Sequence, residues 1–309
     1  MPTQSFTSFE DFFDANRHAN LRAMVLCPDR EPWNLTNLMV NKMTLQFAQA
    51  GTNAIVEGSP HPGGVSIFLL TQGLSAMSGN GKRFDDASML VAYPGDDFCL
   101  AAGSWRRWCS LYVPDELLAG TNDSTSPVRS PRGLLRLPLH RMAQFRATIQ
   151  QLDELLQRAP DAFQSAAAQK AAQQKLVTEV VSVLAVPRVN EPKPGRHMVP
   201  RDQIIRRSIE IFEQHDDEYI SVEQLATAAG VSERTIRDAF QHYFGLAPVR
   251  YLNRRTLHQV RRALKAADPT VVTVTEIATQ FGVWQLGRFA RDYRFLFGEL
   301  PSETLRKRS

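Results

Sequence analysis

SVEQLATAAGVSERTIRDAFQHYFGLAP, residues 221–248, can be laid over TVTEIATQFGVWQLGRFARDYRFLFGELP, residues 273–301, and the two match at a period of about 52 residues. Ser221 with Gln224 and Thr273 with Glu276 are S/T-x-x-E/Q capping boxes, in which a hydroxyl and a side-chain carbonyl satisfy the free amides at a helix start. Each predicts a short helix. Leu225-Ala226 and Ile277-Ala278 then supply an apolar anchor and a small residue that lets a second helix cross closely. Gly230 and Gly282 follow, where a helix stops on a left-handed residue. Second helices run through Phe240 and Tyr243-Phe244 in one copy and through Phe289 and Tyr293 in the other. Both copies close with Phe-Gly and a later proline: Phe244-Gly245 with Pro248, and Phe297-Gly298 with Pro301. Helix, glycine turn, helix is the helix-turn-helix pattern, whose second helix enters the major groove of DNA. A single copy is hard to tell from an ordinary αα-hairpin; two in register predict a DNA-binding domain with units at 221–244 and 273–297.

Between the copies, Val249, Leu252, Leu257, Val260 and Leu264 recur near helical spacing. The stretch starts at Pro248, a permissive first-turn residue, and stops at Asp268-Pro269. Such a helix would hold the two recognition helices apart, for successive major grooves about 34 Å apart on one DNA face. It is also strongly basic. No acidic residue lies between Asp238 and Asp268, while Arg250, Arg254, Arg255, Arg261, Arg262 and Lys265 do. The asymmetry extends to the whole chain: residues 1–195 carry 18 Lys+Arg against 18 Asp+Glu, and residues 196–309 carry 18 against 14. A local excess of this sign attracts phosphate backbones, although a solvated basic face has the same composition.

On these motifs residues of about 205–308 resemble the DNA-binding domain of the AraC/XylS family of bacterial transcription regulators. The resemblance covers about a third of the chain. It departs in the second unit, at Val283 after the turn glycine, at Gly287, and at Thr304-Leu305 after Pro301. It implies a transcription regulator, with activation the expected sense. The expected partners are double-stranded DNA, a second copy of the chain in a homodimer, RNA polymerase, and a small-molecule effector of unknown identity bound by the N-terminal part.

The first recognition helix starts at Ser232, a good N-cap, and exposes Arg234, Arg237 and Asp238 opposite Ile236 and Phe240. Arginine gives two donors to guanine O6 and N7, so Arg234 and Arg237 are base-reading candidates. By resemblance these positions match the family's base-contacting sites. Asp238 could accept from cytosine N4 or pair with Arg234 or Arg237. Arg288 and Arg291, three apart on one helix face, are the corresponding candidates in the second unit, where Gly287 has no side chain to read a base. Ser232, Thr235, Arg250, Arg254 and Arg255 are candidates for the DNA backbone.

The rest of the chain predicts a separate domain. PRVNEPKPGRHMVP, residues 187–200, has prolines that forbid a long helix and reads as a linker, giving an effector-binding and dimerisation domain over 1–186 and a DNA-binding domain over 201–309. TNLMVNKMTLQF, VSIFLLTQ, ASMLVAY and RRWCSLYV, within about 20–114, are β-rich runs split by turn residues. They suggest a sandwich or barrel, cupin-like by resemblance, so the fold class is α+β with an all-α C-terminal domain. Tyr93-Pro94-Gly95-Asp96 reads as an ordinary tight turn or as a barrel turn. Met142, Phe145, Ile149, Leu152 and Leu156 form a helical seam. Such a seam most often packs within its own chain, but these five residues are the dimerisation candidates if two subunits pair there.

Chemistry is poorly represented. His18, His61 and His140 are too scattered for a metal cluster, no GxSxG elbow occurs, and three cysteines at wide spacing suggest neither a disulfide framework nor a CxxC pair. Cys27-Pro28 evokes repair methyltransferases that carry a similar DNA-binding domain, but their other metal-site cysteines are missing. The expectation is a non-enzyme without cofactor or metal. The N-terminus has neither the basic start nor the apolar run of a secretory signal, so the expected location is cytoplasmic.

Overall fold

A computed structural model describes residues 3–16, 19–28, 33–74, 77–103, 105–118, 133–185, 199–215 and 219–307. The chain divides into two compact units, one made mostly of residues up to 192 and one mostly of residues from 193 on.

The first unit begins with β1 (Gln4–Phe6), α1 (Phe9–Asp14), β2 (Ala19–Val25), β3 (Trp33–Val40), β4 (Met43–Ala50), β5 (Ala54–Pro60) and β6 (Gly64–Gln72). It continues with β7 (Met77–Gly79), β8 (Lys82–Arg83), β9 (Ser88–Ala92), β10 (Phe98–Ala102), β11 (Arg106–Pro114), the single turn α2 (Asp115–Leu118) and β12 (Gly133–Arg136). The strands form two sheets, neither closed into a barrel. One has seven strands in the order β1-β3-β4-β11-β6-β9-β12 and the other five in the order β2-β5-β10-β7-β8. The ring of Phe84, just past β8, meets Phe68 of β6 edge-on at 5.7 Å, so an aromatic contact joins the two sheets. Phe12 of α1 is fully buried against Trp33 and Trp108, with the half-buried Phe9 and Phe13 also meeting Trp33. Tyr93–Asp96 is an ordinary turn: Asp96 N–H donates to the Tyr93 carbonyl at 2.9 Å, and Gly95 has φ +83.

Two long helices follow, α3 (Leu139–Arg158) and α4 (Ala166–Leu184), separated by a 3-10 turn at Pro160–Phe163. Here the proposed dimerisation seam is corrected. Met142, Phe145, Ile149 and Leu156 are buried, with Leu152 packed beside them, in one cluster with Leu45, Ile67, Leu69, Met89, Cys109 and Leu111 of the seven-stranded sheet and Leu176 and Val180 of α4. The apolar stripe is consumed within its own chain. Polar contacts fix the same docking: Arg107 of β11 pairs with the buried Asp153 of α3 through Nη2 at 2.7 Å and Nε at 2.9 Å, and Arg146 Nη2 donates to the Asp86 carbonyl at 2.9 Å. A seam spacing does not say which surface it meets. The absence of an apolar partner elsewhere would, and here the sheet supplies one.

The second unit is all helical: α5 (Arg201–Gln214), α6 (Val222–Ala229), α7 (Glu233–Phe244), α8 (Pro248–Ala266), α9 (Val274–Gln280), α10 (Leu286–Phe297) and α11 (Pro301–Arg306). The predicted linker lies outside the described residues except for Val199 and Pro200. Both capping boxes form. Gln224 N–H donates to Ser221 Oγ at 3.2 Å while Ser221 N–H donates to Gln224 Oε1 at 2.7 Å. Glu276 N–H donates to Thr273 Oγ1 at 3.2 Å and Thr273 N–H to Glu276 Oε2 at 2.7 Å. Between the units α8 spans 19 residues, or about 28 Å at 1.5 Å per residue.

Candidate nucleic-acid interface

The first helix-turn-helix is α6, a turn at Gly230, and α7. Gly230 has φ +67, and Val231 N–H returns to the Ala226 carbonyl at 3.0 Å, which ends α6 and turns the chain sharply. Ser232 then caps α7 by accepting from Thr235 N–H at 3.2 Å, and the Ser232 and Thr235 hydroxyls also bond each other at 2.9 Å. Ile236, Ala239, Phe240, Tyr243 and Phe244 are buried and Phe240 packs edge-on against Tyr251 of α8. This anchored face leaves Arg234, Arg237 and Asp238 exposed on the other. Among the described residues Arg234 has no ion-pair partner, whereas Arg237 Nη2 lies 2.7 Å from Glu233 Oε2. The pairing expected with Asp238 goes to Glu233 instead, one turn earlier on the helix.

The second unit is α9, a turn at Gly282, and α10, with Phe289, Tyr293 and Leu296 buried. Gly282 needs its missing side chain twice over: φ is +72, and a Cβ there would sit 2.8 Å from the Cβ of Tyr219. Arg288 and Arg291 are exposed; Arg288 Nε lies 3.6 Å from Asp292, and Arg291 has no ion-pair partner among the described residues.

Burial corrects the alignment of the two units. Ile236 lies six residues after Gly230, but its counterpart Phe289 lies seven after Gly282. The second turn is one residue longer, so the period shifts from about 52 to about 53 beyond it. Gly287 then stands opposite Arg234, Ala290 opposite Arg237, Arg288 opposite Thr235 and Arg291 opposite Asp238. Measured from the buried anchor at about 100° per residue, the arginines of the first helix lie on one flank of the outward face and those of the second on the other. Arg288 and Arg291 are therefore not the positional equivalents of Arg234 and Arg237. The second helix also lacks a side-chain cap: Gln285 precedes it with φ −96 and ψ 72 and no capping hydrogen bond.

The basic stretch on α8 is equally uneven. Arg250 is exposed and Arg254 half-buried, its guanidinium pKa lowered by burial despite the nearby Asp292. Arg255 is withdrawn as a backbone contact. It is 9% exposed, stacks over Phe212 and donates through Nη2 to the Phe212 carbonyl at 2.6 Å, so it closes the C-terminal end of α5 rather than meeting solvent. Arg261 is also engaged, its Nη1 lying 2.6 Å from Glu299 Oε1 and its guanidinium 4.5 Å from the Phe297 ring.

Glu299 is a node the sequence reading did not single out. Lys307 Nζ donates to its Oε2 at 2.5 Å and Thr304 Oγ1 to its Oε1 at 2.8 Å, while Tyr293 Oη donates to Thr304 Oγ1 at 2.8 Å. Burial pushes the carboxyl pKa up, but the hydrogen bonds from Lys307, Thr304 and Arg261 and the Arg261 charge outweigh it and hold it at about 2. The buried Thr304, where the sequence departs from the family's usual residue, is thereby explained: its hydroxyl bridges α10 to α11.

In the first unit no residue had been assigned to an effector. Arg136 forms an ion pair with Asp85. Gln46 Oε1 and Ser66 Oγ are buried without a hydrogen-bond partner among the described residues. They belong to β4 and β6, on either side of β11, where Ser110 faces Gln46 and Tyr112 faces Ser66.

A helix-turn-helix domain family matches residues 225–307. The XylDLEGF operon transcriptional activator 2 of Pseudomonas putida is 32% identical over 128 residues, 41% of this chain and 82% of that one. The XylDLEGF operon transcriptional activator of the same organism is 40% identical over 101 residues, 33% of this chain and 32% of its own, so the chain spans about a third of that relative. A solved structure, a probable AraC family transcriptional regulator from Rhodopseudomonas palustris, is 40% identical, with 34% of this chain and 98% of that chain covered at a TM-score of 0.31. The chain belongs to the AraC/XylS family of transcription regulators. Among the described residues no helix is long and apolar enough to cross a membrane.

Proposed function

We propose that the protein is a sequence-specific DNA-binding transcription regulator, in the cytoplasm, whose residues 201–309 bind double-stranded DNA. Residues 1–186 would serve as a sensing and assembly domain, joined by a linker at 187–200. The observation that carries this reading is the pair of glycine-turned units with Arg234, Arg237, Arg288 and Arg291 exposed on the helices opposite their anchored faces. Asp238 joins the first group as an acceptor for a cytosine amino group. Arg250, Arg254 and the Ser232 and Thr235 hydroxyls serve the phosphates. Activation is supported by the names of the relatives, and contact with RNA polymerase is the route proposed for it.

The test is selection of preferred duplexes from a random pool by the full chain, followed by binding to base-pair variants of the selected site. Arg234→Ala should weaken binding by about 1–3 kcal/mol and relax preference at one base pair. Arg250→Ala should weaken all sequences alike and reduce the salt slope by about one. An unchanged profile for Arg234→Ala removes that assignment, and failure to enrich any sequence removes the function.

A small-molecule effector is supported by the unpartnered Gln46 Oε1 and Ser66 Oγ. A buried polar atom without a partner costs about 1–3 kcal/mol, so these two atoms call for a water or a polar ligand group to complete them. A thermal-shift screen of polar metabolites checks this: a binder should raise the melting temperature of the native chain and lose its effect in Gln46→Leu. Homodimerisation remains part of the reading without assigned residues, and sedimentation with and without DNA tests it. If no metabolite binds while a dimer forms, the N-terminal unit is an assembly domain only.

A further inference from the structure

The turn of the second helix-turn-helix carries Trp284, two residues past Gly282 and just before α10. It is 79% exposed, more than any other large hydrophobic residue among those described. Two buried indoles, Trp33 and Trp108, show what the chain does with this side chain when it serves packing. Trp284 is not displayed on loose backbone. Phe281 N–H and Val283 N–H both donate to the Ala278 carbonyl, at 3.2 and 3.0 Å, and Phe281 is buried, so the turn is tied down on either side of Gly282. The extra residue in this turn, relative to the first unit, is what separates Trp284 from the start of the helix.

α10 carries Arg288 and Arg291 exposed along its length, and Trp284 stands exposed on the turn just before it, four residues ahead of Arg288. On the adjoining flank Gly287 carries nothing, and a Cβ built there would meet nothing within 4 Å. Ala290 adds one methyl. The outward edge of this turn and helix start therefore carries an exposed indole and two exposed guanidiniums, with a shallow strip at Gly287 and Ala290. Two arginines at this edge match the negative potential of a DNA groove and the acceptors of guanine, which favours a duplex over an apolar protein partner. The indole has no charge to offer phosphates. In a major groove, the apolar group that a base pair displays is the thymine C5-methyl.

We propose that Trp284 is a specificity residue of the second unit, packing its indole on a thymine methyl next to the base pair read by Arg288 and Arg291. This rests on the DNA-binding reading above. It assigns the second unit a thymine preference that its arginines do not provide. The side chain missing at Gly287 allows the helix end to sit deep enough for the turn to reach the base edges.

The test replaces thymines of the selected site one at a time by deoxyuridine, which lacks only the C5-methyl, and measures the Kd of the full chain and of Trp284→Ala by fluorescence anisotropy. One thymine should show about a three- to fivefold loss with the native chain, the worth of one buried methyl group. That loss should vanish in Trp284→Ala and persist in part in Trp284→Phe. The proposal is overturned if no thymine is sensitive to loss of its methyl, or if Trp284→Ala keeps the sensitivity unchanged. Failure of the parent reading looks different: no site is selected, or Arg234→Ala binds every variant as the native chain does. The exposure of Trp284 allows the Ala variant to fold, and an unchanged melting curve checks that.

Discussion

The two helix-turn-helix units share a capping box, a left-handed turn glycine and a buried aromatic face, yet they present different chemistry to DNA. The first is the better-finished element, with Ser232 capping its recognition helix and two arginines before and after its anchor. The second has an uncapped helix, a longer turn, a glycine opposite Arg234, and arginines on the other flank. The difference teaches that repetition of a scaffold does not repeat its readout. The inserted turn residue moves anchor and helix together and leaves the core undisturbed, while within the helix the arginines of the second unit stand one position, about 100°, further round from the anchor.

The largest expected effect that bears on this comparison is at the two turn glycines. Gly282→Ala should destabilise the full chain by about 2–4 kcal/mol, because it adds backbone strain at positive φ to an overlap with Tyr219. Gly230→Ala should cost about 1 kcal/mol, since the nearest atom to its Cβ, Arg207 Nη1 at 3.6 Å, is at an ordinary contact distance and only the positive φ is strained. Equal losses in urea unfolding would show that the turns are interchangeable.

Acid should next separate the units through Glu299. Its folded pKa of about 2 lies below the ordinary value of 4.5, so its contribution is fully present above that value and is lost as pH falls toward 2. Helical circular dichroism of the full chain should show the melting temperature dropping across that window. Glu299→Gln should lower stability at neutral pH and flatten the dependence there; an unchanged slope would assign the acid sensitivity to other carboxylates.

Smallest is the difference in caps. Ser232→Ala removes the acceptor for Thr235 N–H and should cost about 1 kcal/mol, whereas Gln285→Ala removes no cap and should be close to neutral. A comparable cost at both positions would mean that α10 is held at its start by something other than the turn.

The parts legible in the sequence were those fixed by neighbours in the chain. Capping boxes, turn glycines and the apolar period of α6, α7, α9 and α10 are set within a few residues, and each lies where the pattern put it. Long-range features were not legible. Arg255 looks like its neighbours Arg250 and Arg254 in a basic helix, and what buries it is the carbonyl end of α5, some 40 residues away in the chain. Met142, Phe145 and Ile149 have a spacing that serves a subunit seam or a sheet equally well, and β4, β6 and β11 decide between them. The offset between the recognition helices was hidden because the glycines align at one period and the buried anchors at the next. Trp284 was not legible for a different reason: only its exposure distinguishes it from a core aromatic.

The Glu299 node has a genetic consequence. A nonsense codon at Pro301 would leave α5 to α10 in the chain, yet it would strip Thr304 and Lys307 from the carboxylate, leave the Tyr293 hydroxyl without its acceptor inside the second unit, and uncover the seat of Leu305. Such an allele should score as a complete loss of the regulator. Missense changes at exposed Arg306, by contrast, should be silent.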